Sequence, residues 1–112
     1  MKVISTEQLK DKLDRGDNFK LVMTMNQWAY DRLHIPGSLH FDSLSEAMAH
    51  LTPEDEVVVY CSTKWCHQSV EAYLLLRRQG FDKLYRYAGG LMEWADACYP
   101  LAGERASDFV SC

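Results

Sequence analysis

The chain has 112 residues, of which 47% are hydrophobic and 25% charged, a composition typical of one globular domain. Its formal net charge is -4, and it lacks the clustered positive charge that contacts with a nucleic-acid backbone require. No apolar run approaches the roughly 20 residues that span a bilayer, and the first residues lack the apolar stretch of a secretory signal, so we expect a cytoplasmic protein without nucleic-acid or membrane partners.

Strand and helix signals alternate along the chain. In chain order they predict a strand at 2–4, a helix at 6–15, a strand at 19–24, a helix at 27–32, a strand at 38–41, a helix at 43–51, a strand at 57–60, a helix at 69–79, a strand at 83–87 and a helix at 91–98. Such alternation is typical of βαβ units, so we predict an α/β fold with a mostly parallel sheet of four or five strands and helices on both faces. Residues 1–101 are expected to form the domain, and 102–112 a C-terminal tail.

Local signals support two of these elements. Ser5 and Gln8 have the spacing of a helix capping box, and Gly16 suits the end of the helix that follows. The run "VVVY" at 57–60 is apolar throughout, which favours a strand buried on both faces of a sheet.

A cysteine directly after that strand is the first candidate nucleophile. In "VVVYCSTKWCHQSVEAYLLL", Cys61 begins a loop that leads from the strand into a helix. Parallel α/β folds bind ligands at such positions, where backbone N–H groups and the helix dipole favour negative charge and stabilise a thiolate. Cys61 is therefore the predicted catalytic residue. Gly89-Gly90 lets the backbone turn close to this loop.

The remaining cysteines carry weaker signals. In a reducing compartment the default for a cysteine is a free thiol, with any pairing catalytic or regulatory. Cys98 is expected to be a small core or helix-end residue, and Cys112 a bystander in the tail.

Four segments of the chain carry a family pattern. They are "ISTEQLKDKLDRGDNFKLV", "AYDRLHIPGSLH", "VVVYCS" and "GGLMEWADACYPL". Their order and spacing resemble the rhodanese-like (sulfurtransferase) domain family over nearly the whole chain. The resemblance implies the rhodanese-like fold, a parallel sheet with flanking helices, in agreement with the alternation above. It also implies that sulfane sulfur is carried as a persulfide on the loop cysteine, here Cys61.

Sulfur transfer of this kind implies a small sulfane-sulfur donor, such as thiosulfate, and a thiol or protein acceptor. It implies no cofactor and no metal. Attack by the Cys61 thiolate expels a good leaving group, so no general acid is required. The resemblance assigns substrate binding to the residues that follow, whose N–H groups face the persulfide anion. These residues are Ser62, Thr63, Lys64, Trp65, Cys66, His67, Gln68 and Ser69.

The chain departs from the family pattern at two places. Met23-Thr24-Met25 stands where many members have Asp-x-Arg, and Gln68 stands where many have an arginine. The loop is also extended, with a Cys-x4-Cys pattern. Lys64 and His67 are the cationic candidates of the loop, and each is either a substitute for the missing arginine or a solvated side chain. Thiosulfate is therefore expected to be a poor donor.

Two loop residues have two interpretations each. Cys66 is either a resolving cysteine, which attacks a sulfenate or persulfide on Cys61, or a packing residue with its thiol turned into the core. Trp65 forms a docking surface or lid, or else it packs against the domain.

Several other functions compete with sulfur transfer. A cysteine phosphatase would use a loop arginine and a carboxylic acid, and residues 62–69 contain neither. A metal site made of Cys61, Cys66 and His67 lacks a second pair of ligands. A thiol redox protein or sensor with a Cys61/Cys66 pair and a non-catalytic rhodanese-like interaction module stay as alternatives. The other histidines are expected to be surface or turn residues: His34, His40 and His50.

Overall fold

The structure is a computed structural model that describes residues 1–109. Within that range, five strands alternate with five α-helices, and a short 3₁₀ helix follows. The elements are β1 (Val3–Ile4), α1 (Thr6–Arg15), β2 (Lys20–Met23), α2 (Gln27–Arg32), β3 (Leu39–His40), α3 (Leu44–His50), β4 (Val57–Tyr60), α4 (Gln68–Arg78), β5 (Leu84–Tyr87), α5 (Gly90–Asp96) and the 3₁₀ helix (Ala106–Phe109). Each predicted element is present, with ends that differ from the prediction by at most two residues.

The five strands form one parallel sheet in the order β1-β5-β4-β2-β3. Strand β4 lies at its centre, and Val59 pairs with Val22 of β2 and with Arg86 of β5. The predicted α/β architecture is confirmed, because all strand pairs are parallel and helices cover both faces. The carboxyl ends of all five strands therefore point to one edge of the sheet.

Alternating side chains of β4 build the two halves of the core. All four of its residues are buried. Val58 and Tyr60 pack with Leu9 of α1 and Trp94 of α5 on one face. Val57 and Val59 pack with residues of α3 and α4 on the other face. A strand whose two faces are both covered is apolar throughout, which is why "VVVY" shows no alternation in the sequence.

Local capping fixes the start and end of α1. The side chain of Ser5 accepts a hydrogen bond from Gln8 N at 3.1 Å, and Gln8 Oε1 accepts one from Ser5 N at 2.7 Å. This is the predicted capping box. Gly16 ends the helix with a left-handed φ of 71°.

Residues 102–109, the described part of the predicted tail, lie against α2. His34 N donates to Ala102 O and Ala102 N donates to His34 O, each at 2.9 Å. Residues 110–112, including Cys112, lie outside the described residues. None of the helices in the described range is long and apolar enough to cross a membrane.

Candidate active site at the cysteine loop

The cysteine loop, residues 61–67, connects the central strand β4 to α4 at the carboxyl edge of the sheet. Cys61 follows β4 directly and is 1% exposed. Helix α4 begins at Gln68, and the buried Ser69 lies in its first turn, as the sequence predicts. His67 occupies the N-cap position without a capping side-chain hydrogen bond. The first amides of α4 therefore lack a side-chain cap, and the helix dipole is directed at the loop.

Helix α5 holds the first half of the loop. Leu91 N donates to Cys61 O, and Met92 N donates to Ser62 O, each at 2.9 Å. Gly90 makes this approach possible, because its φ is +79° and a Cβ built on it would lie 2.9 Å from backbone atoms of Thr63. The predicted close turn of the glycine pair beside the loop is confirmed.

A turn at Thr63 brings the second half of the loop back towards β4. Cys66 N donates to Thr63 O at 3.2 Å, and Trp65 N donates to Thr63 Oγ1 at 3.3 Å. The turn places the α-carbons of Cys61 and Cys66 6.2 Å apart, and the two sulfurs form a disulfide. This separation lies within the usual range for disulfides, roughly 4.4–6.8 Å.

The disulfide corrects two expectations. The default of free thiols is wrong for Cys61 and Cys66, because the turn at Thr63 brings their sulfurs together. The interpretation of Cys66 as a free thiol packed into the core is wrong as well, since its sulfur is bonded to that of Cys61. The two residues differ in access: Cys61 is buried, and Cys66 is partly open to solvent.

The tip of the loop is open to solvent. Trp65 is 77% exposed, so it is not a core residue of the described domain. Lys64 lies with its Nζ 5.1 Å from the centre of the Trp65 ring, a cation–π contact. Both line a cavity of about 260 Å³ with Met92 and with the carboxylates Glu93 and Asp96. A lid or docking role is left for Trp65.

The structure also locates the other predicted substrate-binding residues. Ser62 and Thr63 are half-buried, and His67 and Gln68 are exposed. Ser69 is buried below them. Exposure thus rises from the buried Cys61 to the tip of the loop and falls again at the buried Ser69.

Arg86 is a residue near the site that the sequence analysis missed. Its Nε donates to Ser69 Oγ at 2.9 Å, so its guanidinium lies beside the first turn of α4. The loop sequence points to a cation within residues 62–69, whereas this one comes from β5. In β5, successive side chains point to opposite faces of the sheet. Tyr87 packs in the core cluster that contains Trp94, so its neighbour Arg86 lies on the opposite face, which α4 covers.

Tyr60, the residue before Cys61, joins β4 to the turn formed by Pro36-Gly37. Its hydroxyl accepts a hydrogen bond from Ile35 N at 3.0 Å and shares one with Ser38 Oγ at 2.9 Å. Burial raises the pKa of Tyr60 well above its ordinary value, an effect that these hydrogen bonds partly offset. The phenol is therefore neutral at working pH and acts as a structural hydrogen-bonding group.

The histidines outside the loop differ from one another. His50 is exposed, as predicted. His34 is half-buried, and its ring stacks on that of Tyr30 with the ring centres 3.9 Å apart. His40 differs from the prediction, because its ring is 3% exposed and lies 3.0 Å from both Met23 O and Asp42 Oδ1.

A metal site at the loop is disfavoured by the disulfide, which takes up both thiolates that it would use. Among residues 1–109, no three His, Cys, Asp or Glu side chains cluster as metal ligands.

A larger cavity of about 310 Å³ lies beside the loop, between α3 and α4. Met23 and Thr24, from the segment that departs from the family pattern, line it together with Gln68. Its walls are mainly apolar, including Phe41 and Leu75. Met23 and Gln68, one residue from each departure from the family pattern, therefore line the same cavity, whereas Met25 packs against the core cluster that contains Trp94.

A family model and two curated relatives match this chain. Residues 5–97 match the family described as "Rhodanese-like domain". The chain is 26% identical over 93 residues to "Putative sulfur carrier protein YrkF" of Bacillus subtilis, a match that covers 81% of this chain and 49% of that protein. It is 30% identical over 74 residues to "HTH-type transcriptional regulator Rv0324" of Mycobacterium tuberculosis, covering 64% and 32%. The chain thus spans about half or less of these curated relatives.

Solved structures share the fold. The rhodanese-like domain of a protein from Anabaena sp. has a TM-score of 0.86 at 25% identity, and the match covers 96% of this chain and 83% of that one. A protein from Bacillus halodurans has a TM-score of 0.87 at 18% identity, covering 95% and 80%. The second likeness concerns the fold alone.

Proposed function

Because the chain belongs to the rhodanese-like domain family, we propose that it is a sulfurtransferase that carries sulfane sulfur as a persulfide on Cys61. The observation that carries this proposal is the position of Cys61, at the carboxyl end of the central strand and before the uncapped N-terminus of α4. Such a position stabilises a thiolate and then a persulfide anion. The Bacillus subtilis relative named as a sulfur carrier supports the same chemistry.

The proposed reaction has two transfers. With the disulfide reduced, the Cys61 thiolate attacks the outer sulfur of a donor such as thiosulfate. A bond forms between the two sulfurs, and sulfite leaves with the electron pair of the broken bond. A thiolate acceptor then attacks the outer sulfur of the persulfide and releases the Cys61 thiolate. Both leaving groups are anions of low basicity, so neither step needs a general acid.

The charges around the loop have two roles in this proposal. Lys64 and His67 are exposed on the solvent side, where they can attract an anionic donor. Arg86 lies below, at the first turn of α4, and adds positive charge to that of the helix N-terminus. Cys61 would be the catalytic residue, residues 62–69 the substrate-binding segment, and a small sulfane-sulfur donor and a thiol or protein acceptor the partners.

The test uses the Cys66→Ser variant, so that the second loop thiol cannot intervene. The reduced variant is incubated with thiosulfate or with glutathione persulfide, and the intact mass is measured. We expect a gain of about 32 Da per sulfur, located on the peptide that contains Cys61. Cys61→Ser is the matched control and should gain nothing. Equal labelling of both variants, or of neither, would refute the proposal.

A second candidate function is that of a thiol redox protein, and the Cys61–Cys66 disulfide favours it. In that case mild peroxide should convert the reduced protein to the loop disulfide, in preference to a sulfinate on Cys61. Peptide mapping after peroxide treatment measures the ratio of the two products. A Cys61 sulfinate with Cys66 still a thiol would exclude this candidate.

A further inference from the structure

The disulfide shows which sulfur atom Cys66 can reach. The loop brings Cys66 Sγ onto Cys61 Sγ, while backbone hydrogen bonds from α5 hold Cys61 and Ser62, and the turn at Thr63 holds Cys66. In a persulfide on Cys61, that atom is the inner sulfur. A nucleophile that attacks the inner sulfur displaces the outer one, whereas attack on the outer sulfur would pass it on.

From this geometry we propose that the Cys61–Cys66 pair reduces sulfane sulfur to hydrogen sulfide, with the loop disulfide as the second product. The Cys66 thiolate attacks Cys61 Sγ, a bond forms between the two cysteine sulfurs, and the bond to the outer sulfur breaks. The outer sulfur of the persulfide anion leaves with the electron pair and takes up the proton of the Cys66 thiol, so it departs as hydrosulfide. The two cysteine sulfurs supply the two electrons that the sulfane sulfur gains. This inference rests on the proposed persulfide at Cys61.

Two outcomes then compete for the same persulfide. An external thiol acceptor takes the outer sulfur, because Cys61 is 1% exposed and its inner sulfur is shielded from a bulky nucleophile. Cys66 attacks the inner sulfur from within the loop. The protein is thus a transferase while an acceptor is bound, and it releases sulfide when no acceptor is present.

The difference in burial also determines how the disulfide is reopened. An incoming low-molecular-weight thiolate attacks at Cys66, a half-buried residue, and not at Cys61, a fully buried one. A mixed disulfide forms on Cys66, and Cys61 leaves as a thiolate at the N-terminus of α4, where negative charge is favoured. A second thiol then releases Cys66. Each sulfide released consumes two external thiols, which end as their disulfide.

The experiment measures sulfide and protein mass in the absence of any acceptor. Fully reduced wild-type protein, freed of reductant and kept anaerobic, is mixed with thiosulfate or with glutathione persulfide. The full chain and its Cys66→Ser variant are compared side by side, with protein that receives no donor as the oxidation control. Trypsin cleaves after Lys64 and so separates Cys61 from Cys66 once the disulfide is reduced, which assigns every adduct.

We expect wild type to release about one sulfide per chain and to lose about 2 Da as the loop disulfide forms. Cys66→Ser should retain the extra sulfur of about 32 Da on Cys61 and release at least about tenfold less sulfide. A wild type that keeps the persulfide as stably as Cys66→Ser would overturn the inference and leave the proposed transferase intact. If neither protein gains sulfur from either donor, the proposed function fails and the inference fails with it.

Discussion

Two connections that contact the end of β4 are held in opposite ways. The proline turn, residues 34–38, leads into β3 and is attached to β4 through the buried hydroxyl of Tyr60. The cysteine loop, residues 61–67, starts at the very next residue, but its second half is held by a disulfide and ends in exposed side chains. One connection depends on a buried phenol that no cellular reductant alters, and the other on a bond that a thiol can open.

This difference separates a fixed part of the site from a changeable part. The hydrogen bonds of Tyr60 and those from α5 keep the start of the loop in place in either redox state, because none of them involves a sulfur. Opening the disulfide frees only the segment around Cys66. The nucleophile therefore keeps a constant position while its partner sulfur becomes free to move.

The largest expected loss of stability comes from replacing Gly90, the first residue of α5, which lies against the cysteine loop. Gly90→Ala must adopt a left-handed φ and place its Cβ 2.9 Å from the backbone of Thr63. We expect the free energy of unfolding to fall by about 3 kcal/mol, the sum of backbone strain and a clash that backbone atoms relieve poorly. Denaturant unfolding of the variant and of wild type measures this difference in free energy.

Gly16→Ala is the matched control for that variant. Gly16 also has a left-handed φ, of +71°, but a Cβ there meets nothing within 4 Å. Gly16→Ala should therefore lower the free energy of unfolding by the backbone strain alone, about 1 kcal/mol. Equal losses for the two alanine variants would mean that the contact between α5 and the cysteine loop is not tight.

The next effect concerns the disulfide itself. Cys66→Ser, compared with oxidised wild type, should lower the free energy of unfolding by about 2 kcal/mol, the chain-entropy value for a loop this short. Hydrogen exchange should rise in the loop after Thr63 and stay unchanged in the proline turn. Faster exchange at Ile35 as well would show that the two connections are not independent.

A smaller loss is expected when the hydroxyl of Tyr60 is removed. Tyr60→Phe leaves the buried N–H of Ile35 without its acceptor, at a cost of about 1.5 kcal/mol. Tyr30→Phe is the control, because the hydroxyl of Tyr30 donates to Ser38 O from a half-exposed position where water can replace it, so about 0.5 kcal/mol is expected. The rate at which thiols open the disulfide should be unchanged in both variants.

The last effect is invisible at neutral pH. Burial raises the pKa of Tyr87 to about 12, partly offset by its hydrogen bond to Thr6. The unfolded chain then releases this proton at lower pH than the folded one, so the stabilisation is complete below about pH 10 and is lost as the pH rises through the folded value. Between about pH 10 and 12, the free energy of unfolding should fall less steeply with pH in Tyr87→Phe than in wild type. A parallel pH dependence in the two proteins would show that this phenol is not buried in solution.

Much of the fold could be predicted because its signals are local. The capping box of α1 joins residues three apart, and the apolar run of β4 reflects burial that applies to the whole strand. The position of Cys61 follows from the same reasoning, since a residue between a buried strand and a helix must lie at the carboxyl edge of a parallel sheet. The family pattern adds the persulfide chemistry to that position, and no periodicity in the chain could supply it.

The order of elements, the parallel sheet and the place of Cys61 at the start of the loop all follow from the amino-acid sequence. The disulfide between Cys66 and Cys61, the hydrogen bond from Arg86 to Ser69 and the attachment of the proline turn to Tyr60 depend on how the elements pack. Each of these contacts depends on the path of a loop or on the register between strands, which bring together residues with no shared local pattern. Hydrophobic periodicity specifies which face of an element is buried, but not which side chains of two elements lie opposite each other.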